Sequence, residues 1–435
     1  MPPTSASESG ELGAPPLGTG LRVLPFRGIR FDPARVRDVA AVTSPPYDVI
    51  DPDSATHLAG LDPHNVVRLI LPRGERGDGQ GRYEQAARLL SEWLADGVLH
   101  RDEMPAIYVY EQAAAGMLQR GLLAAVELRN PEARVVLPHE DVMPGPVADR
   151  LELMRATSAN LEPILLVYDG GGPTVEVLDA AATTAPLVET VTEDGIRHRV
   201  WALTGAAEQS VVAADLAPRQ ALIADGHHRY ATYRRLQAEH HEAGHGPGPW
   251  DSGLALLVDS QAYPPNVQPI HRVVEGLSLD NAVAAVAGIF DVLELDGNQQ
   301  AALGALAEAT SGHAFLLSDA RCFRLLINPD PDAVAAALPR SHSDLWRALD
   351  ASVLHAVILE RIWQIDDWDP RVRYIHDVGG ALRAAVRSAG TAVLMRPVRV
   401  EEVAKVAATG ERMPRKSTSF GPKPRTGLVL RLLDE

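Results

Sequence analysis

A single cysteine, no long uninterrupted apolar run and no excess of basic charge are the first limits set by this 435-residue sequence. Cys322 alone excludes an internal disulfide framework and any multi-cysteine metal site, and such sparse usage fits a reducing compartment. It lies in the alternating run Ala320-Arg321-Cys322-Phe323-Arg324-Leu325-Leu326-Ile327, which predicts a strand and a small buried hydrophobe rather than a nucleophile. No apolar stretch approaches the roughly 18 residues of a membrane span. Residues 1–20, rich in Pro, Gly, Ser and Glu, have neither a basic n-region nor an apolar h-region and read as a flexible tail. The expectation is a cytoplasmic protein with no membrane partner. A net charge of −16 argues against broad nucleic-acid binding, which needs a basic face to displace counterions. It leaves room for a local basic pocket that draws small anions.

What is present is an ordinary globular composition, 46% hydrophobic and 23% charged, over a length that exceeds one core. No internal repeat is evident. Periods of two and of three to four interleave, which predicts an α+β or mixed α/β architecture. Strands are expected over 21–31, 65–71, 164–168, 254–258, 315–317 and 322–327, with a hairpin over 106–112 and 119–128 and two strands within 174–200. Helices are expected over 34–39, 81–96, 149–156, 230–239, 282–293, 332–338 and 343–363. In the second of these, Tyr83, Ala87, Leu90 and Leu94 form the inner face. Pro45 and Pro46 make Thr43 to Asp48 extended. A last α/β segment covers 378–407, followed by a strand over 427–433. The chain then divides into a main α/β domain over 21–275, a second α/β segment over 276–410, and a C-terminal loop and strand over 411–435 that return to the core.

The most informative stretch is Ala224-Asp225-Gly226-His227-His228-Arg229-Tyr230. The run Ala221-Leu222-Ile223 before it reads as the end of a buried strand, and the residues after it read as a helix with Asp225 as N-cap. A helix N-terminus carries roughly half a positive charge, so each cation in the first turn is opposed by about 0.3–1 kcal/mol. An anion reverses that penalty. Free backbone N–H groups, Gly226 allowing close approach and Arg229 as a bidentate donor together predict a phosphate or carboxylate cradle. The alternative is a strand-to-helix turn with neutral, hydrogen-bonded histidines.

Two further polar concentrations stand out. His139-Glu140-Asp141 precedes Arg150 and Arg155; Glu140 is a reasonable general base and Arg150 could orient an acidic substrate. The bland alternative is a solvated loop and a helix with surface pairs such as Glu152 with Arg155. Lys416-Ser417-Thr418-Ser419-Phe420-Gly421-Pro422-Lys423 places hydroxyls and ammonium groups in one loop able to grip a phosphate, although it is not a P-loop. Apolar sequence resuming at Leu428 implies an anchored loop. Arg272 offers a further cation, and Tyr47-Asp48 a contact to substrate or Mg²⁺. His376-Asp377 is a weak pair, because adjacent strand residues point to opposite faces. His227 and His228 are badly spaced to share one zinc ion.

With these residues assembled, the chain resembles the domain-of-unknown-function family numbered ten-fifteen. The matching blocks are Phe26-Arg27-Gly28-Ile29-Arg30, Pro46-Tyr47-Asp48-Val49-Ile50, Leu137-Pro138-His139-Glu140, Asp149-Arg150, Ala224 to Tyr230, His271-Arg272 and Lys416-Ser417-Thr418. Asp225-Gly226-His227-His228-Arg229 is also similar to the strand-to-helix motif of the ParB/sulfiredoxin superfamily, which includes free-serine kinases. That resemblance implies a ParB/sulfiredoxin-like nucleotide-binding core with additional α/β segments, in which Gly226, His228 and Arg229 contact phosphate and Asp225 lies near substrate or metal. His227 stands where sulfiredoxins have their reactive cysteine, so sulfinic acid reduction is not implied.

The resulting expectation is a phosphotransferase that binds ATP or ADP with Mg²⁺ and phosphorylates a small hydroxyl-bearing metabolite, serine-like among the candidates. Gly226, His227, His228, Arg229, Arg272, Lys416, Ser417, Thr418 and Lys423 would bind the nucleotide. Tyr47, Asp48, His139 and Arg150 would bind the substrate. Glu140, Asp225 and Arg229 would be catalytic, with Glu140 or Asp225 taking the hydroxyl proton. Two alternatives remain: a ParB-type nucleotide-binding regulator without turnover, and a metal-dependent hydrolase using Asp225, His227, His228 and His139. Oligomeric state and metal ligands stay open.

Overall fold

Ala221–Asp225 is buried along its whole length, and such a strand needs neighbours on both edges and cover on both faces. In the computed structural model, which describes residues 20–73, 81–366 and 368–434, it is the second strand of a nine-stranded sheet. The order across the sheet is 136–137, 221–225, 164–168, 252–259, 117–127, 107–114, 197–203 and 188–191, with 23–24 beside 117–127. Ala221–Asp225 runs parallel to Val136–Leu137 and antiparallel to Ile164–Tyr168, which is parallel to Ser252–Asp259. The other pairings are antiparallel. The fold is mixed α/β. Helices Pro144–Thr157 and His227–Glu242 pack against each other beside the strand that carries the central motif.

A second, all-antiparallel sheet has the order 291–295, 323–327, 315–318, 391–394, 271–274 and 372–375. It takes in His271–Val274, from before the expected boundary at 276. The C-terminal segment crosses both regions. Ser419–Gly421 pairs with Asn266–Gln268, Leu430 exchanges backbone hydrogen bonds with Ile29, and Arg431–Leu432 pairs with Ala159–Asn160.

The hairpin, the strand over 164–168 and the pair around residue 320 form where the patterns place them. Other elements differ, each for a local reason. Residues 65–71 hold a short helix, Val67–Ile70, because the Asn65 side chain accepts the Val67 N–H and donates to the carbonyls of Ala41 and Thr43. The alternation in 174–200 hides a helix, Thr174–Ala182, whose alanines favour that state over strand; strands follow only at 188–191 and 197–203. Residues 282–293 split into the helix Leu279–Val286, capped by Ser278, and the strand Asp291–Leu295. Pro144 opens its helix instead of preceding it, since proline lacks only a donor that the first turn does not use.

Cys322 is exposed, not buried: its N–H and that of Arg321 bond the Asp319 carboxylate in a turn, and the strand begins at Phe323. The first N-terminal helix is Val39–Val42 rather than 34–39, and Tyr47–Val49 forms a 3₁₀ turn after the two prolines. Helix Gly81–Ala95 buries Tyr83, Ala86, Leu90 and Trp93, a stripe rotated from the expected one because Trp93 contributes the larger apolar surface. Residues 343–363 break into Asp344–Arg347, Asp350–Val353 and a wider π-type turn, Leu354–Ile362. The expected strand over 427–433 is regular only at Arg431–Leu432. Of the expected tail over 1–20, residues 1–19 lie outside the described residues. No helix among the described residues is long and apolar enough to cross a membrane.

Arg431 clamps the returning C-terminus. Its buried guanidinium donates to Asn160 Oδ1 and Ser252 O through Nη1, and to Pro249 O and Ser252 Oγ through Nη2, at 2.9–3.1 Å. Burial holds its pKa down to about 10. Arg431→Ala orphans these acceptors and is expected to destabilise the fold by about 2–3 kcal/mol, read from urea unfolding at pH 7.5.

Candidate functional site

Gly226 joins the buried strand to the helix His227–Glu242 with a left-handed φ of 91°. A Cβ there would stand 2.9 Å from Ile164 Cγ2 and 3.2 Å from the Arg229 guanidinium, so conformation and space both require glycine. No side chain among the described residues caps the helix. Asp225 is the last strand residue rather than the N-cap, and its carboxylate turns to two cations, Arg229 Nη2 at 2.5 Å and Lys423 Nζ at 2.6 Å. These charge-assisted bonds outweigh one neutral cap bond. Among the described residues the backbone N–H groups of His227, His228 and Arg229 have no acceptor, so the positive end of the helix is unsatisfied by protein.

Three opposed cations do not stand in the first turn. His227 is buried and its Nε2 accepts the His139 N–H at 3.2 Å; burial, then the neighbouring His139 and His228, push its pKa well below the ordinary value. His228 Nε2 accepts the Met143 N–H at 3.0 Å, and burial lowers it too. Both rings are neutral acceptors. Arg229 is charged but 3% exposed: Nη1 donates to Pro163 O at 2.5 Å, Nη2 to Asp225, and Nε is buried without a partner among the described residues. Its fork is therefore occupied inside the protein, not open as the expected bidentate phosphate donor.

Lys423 also stands 3.6 Å from Asp48 Oδ1, while Arg229 lies 3.8 Å from Asp48 Oδ2. Burial alone would raise the Asp48 carboxyl, but Arg229 and Lys423 carry it below its ordinary range. Burial would likewise lower Lys423, yet Asp225 and Asp48 raise it. Glu140 behaves oppositely: burial raises it, reinforced by Asp225 and Asp48 and opposed by Lys416 and Lys423. Its Oε2 is 3.9 Å from His227 Nδ1. The structure thus gathers Asp48, Glu140, Asp225, His227, His228, Arg229, Lys416 and Lys423 around one helix start.

Other predicted residues support this group rather than join it. His139 Nε2 bonds Thr418 Oγ1 at 3.0 Å, tying the C-terminal segment to the loop before Glu140. Arg150 is held by Asp149 and the Ile70 carbonyl and covers the Tyr47 ring at 4.2 Å. The expected surface pair of Glu152 with Arg155 forms on the same helix. Arg272 is fully buried against Tyr374; it bonds His355 Nε2 and the Arg415 carbonyl, so it positions the residue before Lys416. Ser417 Oγ turns back to Pro414 O. Among the described residues no group of three His, Cys, Asp or Glu side chains is arranged to hold a metal ion. The Nε2 atoms of His139, His227 and His228 are each engaged in a hydrogen bond within the protein.

Two further signals lie in the residues. Glu162 is buried, accepts the Tyr47 N–H at 2.8 Å and lies 3.6 Å from Arg150; an acid directly before Pro163 and an apolar strand marks it. Burial raises its carboxyl against the pull of Arg229 and Arg150. Lysine, moreover, occurs only at 405, 416 and 423 in a chain that otherwise uses arginine. His376, set aside as half of a weak pair, is close enough to feel Lys416 and Lys423, whereas Asp377 caps the helix Val378–Arg387.

Residues 23–352 match the family described as "Protein of unknown function (DUF1015)". The chain belongs to that family. No curated protein matches it. Similar solved structures include a free serine kinase mutant in complex with ADP, at 14% identity and TM-score 0.35, covering 73% of this chain and 90% of that one. SbnI with a C-terminal truncation, from Staphylococcus aureus, is 12% identical with TM-score 0.35 and coverages of 71% and 87%. A conserved hypothetical protein from Pyrococcus furiosus is 14% identical with TM-score 0.33 and coverages of 69% and 90%.

In this DUF1015 chain the buried histidines couple the site to pH. Burial depresses His139 from 6.5 to about 4. The unfolded chain therefore takes up the proton first, so the stability this ring supplies is complete above about pH 6.5 and is lost as pH falls toward about 4. Urea midpoints measured at pH 7.5 and 5.0 should fall on acidification, and His139→Gln should make the difference smaller.

Proposed function

We propose that this protein is a nucleotide-dependent phosphotransferase acting on a small hydroxyl-bearing metabolite. The observation that carries the reading is the convergence of Asp48, Glu140 and Asp225 with Arg229 and Lys423 at a helix start whose first amides have no acceptor among the described residues. Phosphoryl transfer asks chiefly for positioning and charge neutralisation. The free amides of His227 to Arg229 suit phosphate oxygens. Lys423, on a flexible stem, can exchange its carboxylate partners for a phosphate.

Mg²⁺ fits the donor set. Asp48 and Asp225 are hard oxygen donors that already share one cation, and Mg²⁺ is commonly held by one or two carboxylates with phosphates completing the shell. Bound there, it would neutralise phosphate charge. Arg229 keeps Asp225 and the Pro163 carbonyl in place. Glu140, raised by burial, takes the acceptor hydroxyl proton while the acceptor oxygen bonds the terminal phosphorus and the bond to the leaving diphosphate breaks.

Arg229→Ala would leave the buried Asp225 carboxylate without its nearest cation and is a poor probe. Lys423→Gln and Glu140→Gln separate the roles. Thermal shift and equilibrium titration with ATP and ADP, each with Mg²⁺, should show binding to the native protein that weakens about tenfold in Lys423→Gln. Glu140→Gln should keep that binding and lose about 10²–10⁴-fold in transfer of labelled phosphate to hydroxylated metabolites. Absence of nucleotide binding by the native protein would end this reading. Binding without transfer to any acceptor would favour the ParB-type regulator.

A further inference from the structure

A large open space flanks the second sheet, away from the central motif. A cleft of 780 Å³ lies between the loop after Thr391–Leu394, the helix Val400–Ala408, the short helices over 344–353 and the turn over 310–313. That volume suits a metabolite-sized ligand. One wall is apolar, with Leu349, Met395, Val398 and Met413. The polar groups are unequally used. Arg396 donates to Asp350 Oδ2 at 2.7 and 2.9 Å and to the Ala309 and Gly312 carbonyls, and Arg399 bonds Glu402 at 2.8 Å, so both guanidinium charges are matched locally.

Two groups are left over. Lys405 is exposed on the helix and has no hydrogen-bond or ion-pair partner among the described residues. His313 Nδ1 bonds Asp350 Oδ1 at 3.0 Å, which fixes the ring and leaves Nε2 for a ligand. After the internal pairs cancel, the cleft keeps one uncompensated positive charge beside an apolar wall, in a protein whose net charge is −16.

We propose that this cleft is a second small-molecule site, for an amphipathic monocarboxylate whose head meets Lys405 and His313 and whose apolar body lies along Leu349, Met395, Val398 and Met413. The inference does not rest on the phosphotransferase reading. A nucleotide, with several negative charges, is poorly matched by one free cation; a single carboxylate with a hydrocarbon body uses both the charge and the wall. The segment that supplies Met413 and Ser417 to the cleft also carries Thr418 and Lys423 to the helix start, so the two places share a structural element.

The test is isothermal titration of the full-length protein with octanoate, octylamine and 1-octanol. Octanoate should bind saturably at one site, about tenfold or more tighter than either analogue. Lys405→Gln, a surface change, should weaken octanoate about tenfold and leave 1-octanol unchanged. Val398→Trp, which fills the half-buried wall, should abolish both, with circular dichroism checking the fold; Lys405→Gln decides if that variant fails to fold. Failure of octanoate to saturate, equal binding of octylamine, or unchanged octanoate affinity in Lys405→Gln would overturn the proposal. Nucleotide titration of Lys405→Gln, expected to match the native protein, keeps this outcome separate from that of the helix-start site.

Discussion

The buried carboxylate of Asp225, held between Arg229 and Lys423, is the interaction on which the candidate site depends. Removing a charge from water is expensive, and the cost is offset only when partners are close and hydrogen-bonded. Here the compensation is distributed. Asp48 and Glu162 add negative charge, Arg150 adds positive charge, and the Tyr47 ring lies against two guanidinium groups. Taking the almost fully buried Arg229 charge away strands Asp225 in low dielectric, whereas Lys423 and Asp48 keep contact with solvent. Such a group is worth retaining only if part of it can be re-partnered, and Lys423 is the member with the freedom to move.

That freedom is bounded by how the C-terminal segment is tied. Arg272 grips the Arg415 carbonyl on one side; Thr418 is held by His139, and Ser419–Gly421 forms a ladder with Asn266–Gln268 on the other. Beyond Lys423, Thr426 exchanges hydrogen bonds with Ser44, Leu430 with Ile29, and Arg431 is clamped in the main sheet. The lysine thus projects from a segment fixed at both ends. Its long side chain, more than the backbone, supplies the adjustable part.

A lysine-poor chain gives each lysine unusual weight. Arginine serves wherever a fixed planar fork suffices, as at Arg150, Arg229, Arg272 and Arg431. Lys416 and Lys423 face the helix start and Lys405 faces the cleft, the places where a compact, movable charge is useful. Two binding regions with different ligand chemistry would be compatible with an acidic protein, because each presents a small local excess of positive charge in an otherwise repulsive field.

Local sequence determined the strand Ala221–Asp225, the helix after it and the hairpin over 107–127, since these follow from apolar periodicity, whereas the need for glycine at 226 comes from its left-handed φ and the packing of Ile164 and Arg229. It also pointed to Tyr47, Asp48, His139, Glu140 and the C-terminal lysines as polar residues in unusual company. Only the tertiary structure decided how their charges pair. Asp225 abandons the cap because Lys423, nearly two hundred residues away, is a better partner, and that distance has no local signature. The neutrality of His227 and His228, the internal use of Arg229 and the part of Glu162 likewise come from burial, which chain neighbours do not encode. The helix hidden in the alternating stretch at 174–182 has a different cause: period two in a short window is a weak signal where alanine propensity and packing both favour a helix.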